Sequence, residues 1–290
     1  MVSRRKVLVA GATGYLGQYL VKELKRQGYW IRALSRDMQK IRPIEQYVDD
    51  LFEGQATKPE TIKGICKDID IVVSSLGITR QQDGLSYMDV DYQGNRNILD
   101  EALAGNVSIF MYISVFNANK LGHLEIVKAK ERFARDLKEA PLKHIIIRPN
   151  GFFSDMEEFF RMAQKGRIYL FGKGDFRANP IHGADLAQVC VQQLVDDGTA
   201  EIDVGGPEVL SQNQIALQAF EILGKTPRIT HIPLWLTELI LKLARTFTSP
   251  IRYGPIEFFL TVLTMDMIAP QYGQHTLEAH FRAIHKADDG

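Results

Sequence analysis

Three glycines at intervals of three residues are the strongest chemical signal in the sequence. A short apolar run at residues 6–10 precedes them, and a helical pattern follows at once. In such a unit the first glycine permits a tight turn, the second lets backbone N–H groups approach a pyrophosphate, and the third lets the helix pack on the strand. The helix N-terminus adds partial positive charge. The predicted dinucleotide contacts here are Gly11, Thr13, Gly14, Tyr15, Leu16 and Gly17.

The end of the second predicted strand carries positive charge where many dinucleotide sites carry an acid that binds a ribose hydroxyl. Arg32 and Arg36 lie there, and no acid occurs before Asp37. Because arginine forms bidentate hydrogen bonds with phosphate, Arg36 favours NADP(H) as the cofactor and leaves NAD(H) open. Alternatively, both arginines are solvated charges or pair with Asp49 or Asp50.

The elements that must position these groups alternate along the first half of the chain. Strands are predicted at residues 6–10, 30–34, 70–76, 108–115 and 143–148, and helices at 16–27, 60–66, 90–103 and 124–137. Strands that alternate with helices favour an α/β fold, here a doubly wound parallel Rossmann sheet over residues 1–150.

The pattern loosens after residue 150. Residues 151–290 are expected to form a smaller, mainly helical lobe for a substrate or a partner, with 181–204 returning to the Rossmann core. Helices are expected at 156–164, 183–195 and 211–223, a hairpin-like piece at 167–171, and a strand at 201–204. Ser211 followed by Gln214 is a capping-box pattern.

The sequence resembles the atypical short-chain dehydrogenase/reductase group. The similarity is strongest to its negative-nitrogen-regulator type, its isoflavone-reductase type and the 39-kDa-type subunit of complex I. The motifs that carry it lie at residues 11–17, 74–77, 90–95, 112–115, 147–151 and 180–187. The resemblance implies a nicotinamide cofactor, with contacts at Ser75, Leu76, Gly77, Lys130, Pro149 and Asn150.

Active members of that group use a Tyr-x-x-x-Lys pair, in which the tyrosine exchanges a proton with the substrate and the lysine holds the cofactor ribose. The lysine corresponds to Lys130, but Ile126 occupies the tyrosine position. By resemblance Ser114 orients the substrate. His123 is the candidate replacement acid, because a histidine titrates near neutrality.

Other residues have competing interpretations. Tyr87 and Tyr92 are alternative proton donors, and Asp91 is either catalytic or a helix cap. His182 and Asp185 are interpreted as a structural turn rather than as catalytic residues.

Composition excludes several classes. Lys plus Arg and Asp plus Glu both count 35, which argues against a nucleic-acid binder. Cys66 and Cys190 are far apart, so neither a disulfide scaffold nor a zinc site is expected, and no metal is predicted. No apolar run is long enough to span a membrane. Residues 3–5 slightly resemble a twin-arginine export signal, but the short apolar run that follows is interpreted as a strand, so a cytoplasmic location is expected.

Two functions stay open. The first is an oxidoreductase acting on a small organic substrate, and the second is a non-enzymatic NADP(H)-binding sensor, regulator or scaffold. The apolar region that includes Trp235, Leu239, Phe258, Phe259 and Leu263 could contact a protein partner or a membrane surface, or it could be core.

Overall fold

The computed structural model describes residues 4–78, 84–195 and 198–288. The density of internal contacts divides the chain into two compact units. The first unit comprises Met1–Arg148 and Leu186–Ile202, and the second Pro149–Asp185 and Asp203–Gly290. Each unit has its own hydrophobic core.

The described residues form strands and helices that alternate in the first half of the chain. The strands are β1 (Lys6–Ala10), β2 (Trp30–Ser35), β3 (Asp50–Glu53), β4 (Ile71–Ser74), β5 (Ile109–Ile113), β6 (Lys143–Pro149), β7 (Ile168–Phe171), β8 (Arg177–Ala178), β9 (Ala200–Val204), β10 (Leu210–Ser211) and β11 (Ile229–Ile232). The helices are α1 (Tyr15–Arg26), α2 (Asn95–Ala104), α3 (Ala118–Leu121), α4 (Glu125–Glu139), α5 (Phe153–Gln164), α6 (Gly183–Val195), α7 (Gln212–Ile222), α8 (Leu234–Phe247), α9 (Pro250–Leu263) and α10 (Leu277–Asp288).

The central sheet has the strand order β3-β2-β1-β4-β5-β6-β9, and the pairs from β3 to β6 are parallel. β4 and β5 are wholly buried, as expected for strands covered on both faces. The order reverses between β1 and β4, which is where α/β sheets bind ligands at the carboxyl ends of their strands. The predicted Rossmann fold is confirmed.

The register brings two strand ends together at this switch point. Ala10, the last residue of β1, lies opposite Ser74, the last residue of β4. The glycine-rich loop after β1 and the turn after β4 therefore leave the sheet side by side.

Two predicted elements are wrong. The helix expected at 60–66 is only a 3₁₀ turn at Pro59–Thr61, and Gly64 has a left-handed φ of 79°, which a helix through residue 66 would not allow. The hairpin expected at 167–171 is instead β7, which pairs in parallel with β11, about 60 residues away along the chain.

A helix boundary also differs from the prediction. The helix expected at 90–103 begins as a π-helical segment, Met88–Gly94, and continues as α2. The predicted capping box of α7 is confirmed, since the Ser211 side chain accepts from the Gln214 N–H and the Gln214 side chain accepts from the Ser211 N–H.

Candidate functional site

The glycine-rich loop has the geometry that a phosphate cradle needs. Gly11 has a φ of 82°, and a Cβ built on it would lie 2.9 Å from Ser75 Oγ. A Cβ on Gly17 would lie 2.0 Å from the Gly11 carbonyl oxygen, so only glycine lets α1 pack here. Gly14 precedes α1 with no side-chain cap, and the first turn of α1 contains no acid. The helix N-terminus thus keeps its partial positive charge for an anion.

The other residues predicted in the loop support it from α1. The Thr13 carbonyl accepts from the Gln18 side chain, Leu16 is buried, and the Tyr15 ring packs edge-on against Tyr19, with centroids 5.4 Å apart.

The turn after β4 holds Ser75, Leu76 and Gly77 beside that loop. The Ser75 N–H donates to the Ala10 carbonyl. Buried Asn95 fixes the turn from below, because its amide donates to the Leu76 carbonyl and its Oδ1 accepts from Ser74. The three residues predicted here are thereby brought next to the glycine-rich loop.

A buried ion pair lies against Gly77. Nζ of Lys130, on α4, is 2.9 Å from Oδ1 of Asp91, and Asp91 is completely buried. Oδ2 of Asp91 accepts from the Ile78 N–H at 3.2 Å. Burial raises the pKa of Asp91, and the charge of Lys130 opposes that rise. A Cβ on Gly77 would lie 2.6 Å from Oδ1 and 2.9 Å from Nζ, so a side chain there would displace the pair.

This geometry corrects the interpretation of Asp91 as a helix cap. Asp91 lies inside the π-helical segment rather than before it, and its carboxylate faces Lys130. The sequence contained both residues as separate candidates, but nothing in the sequence pairs two side chains 39 positions apart.

Two tyrosine hydroxyls are buried in the same region. Those of Tyr87 and Tyr112 have no hydrogen-bond partner among the residues that the structure describes. Burial raises the pKa of both phenols, and the charge of Asp91 raises it further. Nζ of Lys130 lies 5.6 Å from the Tyr112 ring centroid. Buried polar groups without partners are rare in native proteins, so these hydroxyls mark a place where the fold is not optimised for stability alone.

Ser114, directly after β5, belongs to a charged network. Its hydroxyl donates to Glu131 at 2.8 Å and accepts from Arg148 at 3.3 Å. Arg148 also forms ion pairs with Glu131 and with Glu201. The single O–H donor of Ser114 is therefore engaged, and only its remaining acceptor capacity is left for another group. No motif in the sequence indicates this network.

The two arginines near the end of β2 differ. Arg32 pairs with Asp50 at 2.5 Å and donates to the Ile65 carbonyl, so it is a structural residue. This corrects the prediction that Arg32 lies beside a cofactor phosphate. The alternative that Arg32 pairs with Asp50 is the one that the structure supports. Arg36 is exposed immediately after β2.

The other candidates for proton transfer are more peripheral. His123 is exposed in the turn before α4. Lys130 lies five residues after the first residue of α4, about 7.5 Å along the helix axis, so most of two helical turns separate His123 from it. The Tyr92 hydroxyl donates to Asp136 at 3.0 Å. Its ring lies 4.1 Å from the Arg132 guanidinium carbon.

Pro149 and Asn150 belong to the second unit, and both are buried. The Asn150 amide donates to Asn179 and to the Met267 carbonyl. These contacts give Asn150 a structural role inside that unit.

Three histidines cluster within the second unit. The rings of His182 and His275 stack with centroids 4.3 Å apart, and His280 meets His182 edge-on at 5.7 Å. Buried Asp185 accepts from the His275 ring at 2.7 Å and from the backbone N–H groups of residues 274 and 275. Burial lowers the pKa of His182 to about 4, with contributions from its histidine neighbours. Asp185 thus organises a turn.

The apolar region of the second unit is partly exposed. Along α8, the exposed fractions of Trp235, Leu239, Leu243 and Phe247 are 64%, 42%, 48% and 78%. These residues recur every four positions and form one stripe, called here the α8 stripe. Phe259 on α9 is 39% exposed.

Other kinds of site are not supported in the described part of the chain. No group of three or more His, Cys, Asp or Glu residues there could hold a metal ion. None of the helices described is long and apolar enough to cross a membrane. Cys66 and Cys190 are buried, and burial raises the pKa of both thiols to about 12.

The strand order and the glycine-rich edge of the first unit define a dinucleotide-binding Rossmann protein. A family model described as NAD(P)H-binding matches residues 11–197, more than half of the chain, and the chain belongs to this family. The resemblance predicted from the sequence motifs is thereby confirmed.

Relatives extend the similarity beyond the matched domain. The chain is 26% identical over 234 residues to the photosystem II assembly factor Ycf39 of Guillardia theta, covering 79% of this chain and 74% of that protein. It is 26% identical over 320 residues to the chloroplastic divinyl chlorophyllide a 8-vinyl-reductase of Oryza sativa subsp. indica, covering 97% of this chain and 79% of that protein. The NADPH-dependent quinone oxidoreductase QOR2 of Escherichia coli, complexed with NADPH, shares the fold with a TM-score of 0.73 at 13% identity. The similarity covers 96% of this chain and 99% of that protein.

Proposed function

We propose that this protein is an NADP(H)-dependent reductase of a small organic substrate with a reducible C=O or activated C=C bond. The observation that carries the proposal is the buried Lys130–Asp91 pair packed against Gly77. It places an ionised, proton-bearing group next to the turn that borders the glycine-rich loop. Buried charged groups at such an edge are typical of catalytic sites.

The residues of the first unit fit the cofactor. Gly11, Gly14 and the N-terminus of α1 would hold its pyrophosphate. Arg36 would hold the 2′-phosphate that distinguishes NADP(H) from NAD(H), and Lys130 would hold the nicotinamide ribose. When bound, the reduced cofactor supplies a hydride.

Lys130 also supplies the proton that a hydride-accepting substrate needs. An N–H bond of its ammonium breaks as an O–H or C–H bond forms at the substrate atom left negative. The 12% exposure of the Lys130 side chain gives the resulting amine access to solvent for reprotonation. This role would compensate for Ile126 at the position where relatives have tyrosine.

The α8 stripe supports a second function, that of an NADP(H)-binding assembly or scaffold protein. Exposed apolar patches often mark surfaces that contact another molecule. One relative is named as an assembly factor and another as a reductase, so both functions have a named precedent among similar proteins.

The experiment that tests the proposal is a titration with NADPH and with NADH, followed by 340 nm assays with quinones, enones and aldehydes. Substrate-dependent NADPH oxidation is expected. Tight binding without turnover across the panel would contradict the reductase and favour the scaffold.

Gly14→Val tests the cradle in the same experiment. A Cβ at Gly14 would lie 3.3 Å from the nearest atom, the Gly11 carbonyl oxygen, so the loop must shift by a few tenths of an ångström, and the side chain enters the phosphate space. We expect the Kd for NADPH to rise at least about 100-fold. Gly122→Val, at another exposed helix end, is the matched control and should leave that Kd unchanged. Equal affinity in both variants would rule out this loop as the binding site.

A further inference from the structure

The Lys130–Asp91 pair is unusual because its carboxylate is buried and its lysine is nearly so. Asp91 has no exposed side-chain surface, and the Lys130 side chain is 12% exposed. Removing a carboxylate from water costs several kcal/mol unless charge and hydrogen bonds compensate, and apolar replacements of buried ion pairs are often neutral or stabilising. Stability alone therefore gives little reason to keep this pair.

Local structure aims Asp91 at Lys130. The π-helical segment Met88–Gly94 carries Asp91, and such segments often occur at functional sites. Asn95 donates to the Asp91 backbone carbonyl at 2.9 Å, and the Ile78 N–H occupies Oδ2. Oδ1 is left facing Nζ. The carboxylate thus has one defined direction, towards the ammonium group.

The pair is closely packed and has polar side chains near it. Gly77 leaves no space for a side chain above the two charged groups. The unpaired hydroxyls of Tyr87 and Tyr112 lie within electrostatic reach of Asp91. Preorganised charge in a site with little water is worth more to a reaction than the same charge in solvent.

We propose that Asp91 is the positioning residue of Lys130, and that it fixes the ammonium group towards Gly77. This inference rests on the proposed reductase function. The Asp91 carboxylate holds Nζ of Lys130 in place through their 2.9 Å contact. The proton lost by Lys130 goes to the substrate, and a solvent proton replaces it.

The first test compares Asp91→Asn with Asp100→Asn, an exposed carboxylate on α2 that pairs with Arg96 at the surface. Asparagine retains an acceptor for Ile78 but loses the charge. We expect Asp91→Asn to lower kcat about 100-fold, with the Kd for NADPH within about threefold of the wild type. Asp100→Asn should change neither value. A kcat within about threefold of the wild type in Asp91→Asn would overturn the proposal.

A double-mutant cycle separates positioning from general damage to the fold. If Asp91 acts through Lys130, Asp91→Asn should lower kcat no further in a Lys130→Met background. Additive losses would show that Asp91 acts by another route and would overturn the proposal. Asp91→Ser, which removes the charge with a smaller side chain, repeats the test should the asparagine variant not fold.

A chemical measurement tests the pairing without turnover. Acetic anhydride labelling of the apo protein, followed by mass spectrometry, compares Lys130 with exposed Lys128 on the same helix. We expect Asp91→Asn to raise Lys130 labelling at least about fivefold relative to Lys128. Unchanged labelling would overturn the proposal even if the enzyme is active. Raised labelling in a protein that turns over no substrate would instead support the pairing and contradict the reductase function.

Discussion

The Lys130–Asp91 pair in the first unit and the α8 stripe in the second depart from the usual distribution of side chains in opposite directions. Asp91 is a buried charge, whereas Trp235 and Phe247 are large apolar side chains that are mostly exposed. Both departures are informative. A single exposed leucine or a buried valine is ordinary, whereas a buried charge or a patch of large exposed apolar side chains is not. The buried charge points to chemistry, and the exposed stripe points to contact with another surface.

The two regions also differ in how firmly the surrounding structure holds them. The pair lies under a turn fixed by Asn95 and Ser74, so its geometry is held from several sides. The α8 stripe lies on a helix whose only wholly buried residue is Thr237. We therefore expect substitutions in the first region to change function, and substitutions in the stripe to leave folding nearly unchanged.

The largest expected effect contrasts two phenylalanines of the second unit. Phe281 on α10 is completely buried and packs on Phe160 with ring centroids 5.1 Å apart. Phe281→Ala should lower the free energy of unfolding by about 3–5 kcal/mol, because it leaves a cavity. Phe247→Ala should lower it by less than about 0.5 kcal/mol, because Phe247 is 78% exposed. Urea unfolding measures both values. Similar losses in the two variants would mean that the stripe is packed, which removes the contrast between the regions.

Much of the first unit was predictable from the sequence, because the signals for its glycine-rich loop and its sheet are local. The glycines at positions 11, 14 and 17 are adjacent in sequence to the strand and helix that they join, and each does one geometric task there. The alternation of elements predicted the sheet. β3 has an acid at each end and is only half-buried at the sheet edge, so its sequence carries no strand pattern.

What sequence could not predict depends on distant contacts. The pairing of Asp91 with Lys130 and that of β7 with β11 join residues far apart in the chain, and no spacing rule connects them. The apolar spacing of α8 fits a core helix and an exposed stripe equally well, because periodicity shows which residues share a face but not what covers it. The sequence left the role of Arg32 open between a cofactor phosphate and Asp50 for the same reason, since Asp50 is on the neighbouring strand.

A second prediction sharpens the chemical side of the comparison. Arg36→Ala should raise the Kd for NADPH about tenfold, since a charged hydrogen bond contributes about 1.5 kcal/mol at an exposed site. The Kd for NADH should stay within about twofold, because that cofactor has no 2′-phosphate. Lys40→Ala, a nearby exposed charge that lies 3.9 Å from Asp37, is the matched control. Isothermal titration calorimetry gives all four constants, and unchanged discrimination between the two cofactors in Arg36→Ala would sink the phosphate assignment.

The smallest expected effect concerns the histidine cluster of the second unit, which we interpret as structural. His182 has a pKa lowered to about 4, since burial and the neighbouring His275 and His280 disfavour its charged form, while Asp185 partly opposes them. An unfolded histidine titrates near 6.5. Between these values the unfolded chain binds more protons than the folded one, so stability is complete above about pH 6.5 and falls as the pH drops towards 4.

The variant His182→Asn isolates this contribution. Asparagine can still accept from the N–H two residues ahead, as the His182 ring does from Ala184, but it does not titrate. Since His182 is only half-buried and solvent screens its charge, we expect the wild type to lose about 1 kcal/mol more than the variant between pH 7 and pH 4.5. Urea unfolding across that range measures the difference. Parallel curves for the two proteins would show that another group sets the acid sensitivity of the second unit. Converging curves would show that the histidine cluster, unlike the Lys130–Asp91 pair, serves the fold.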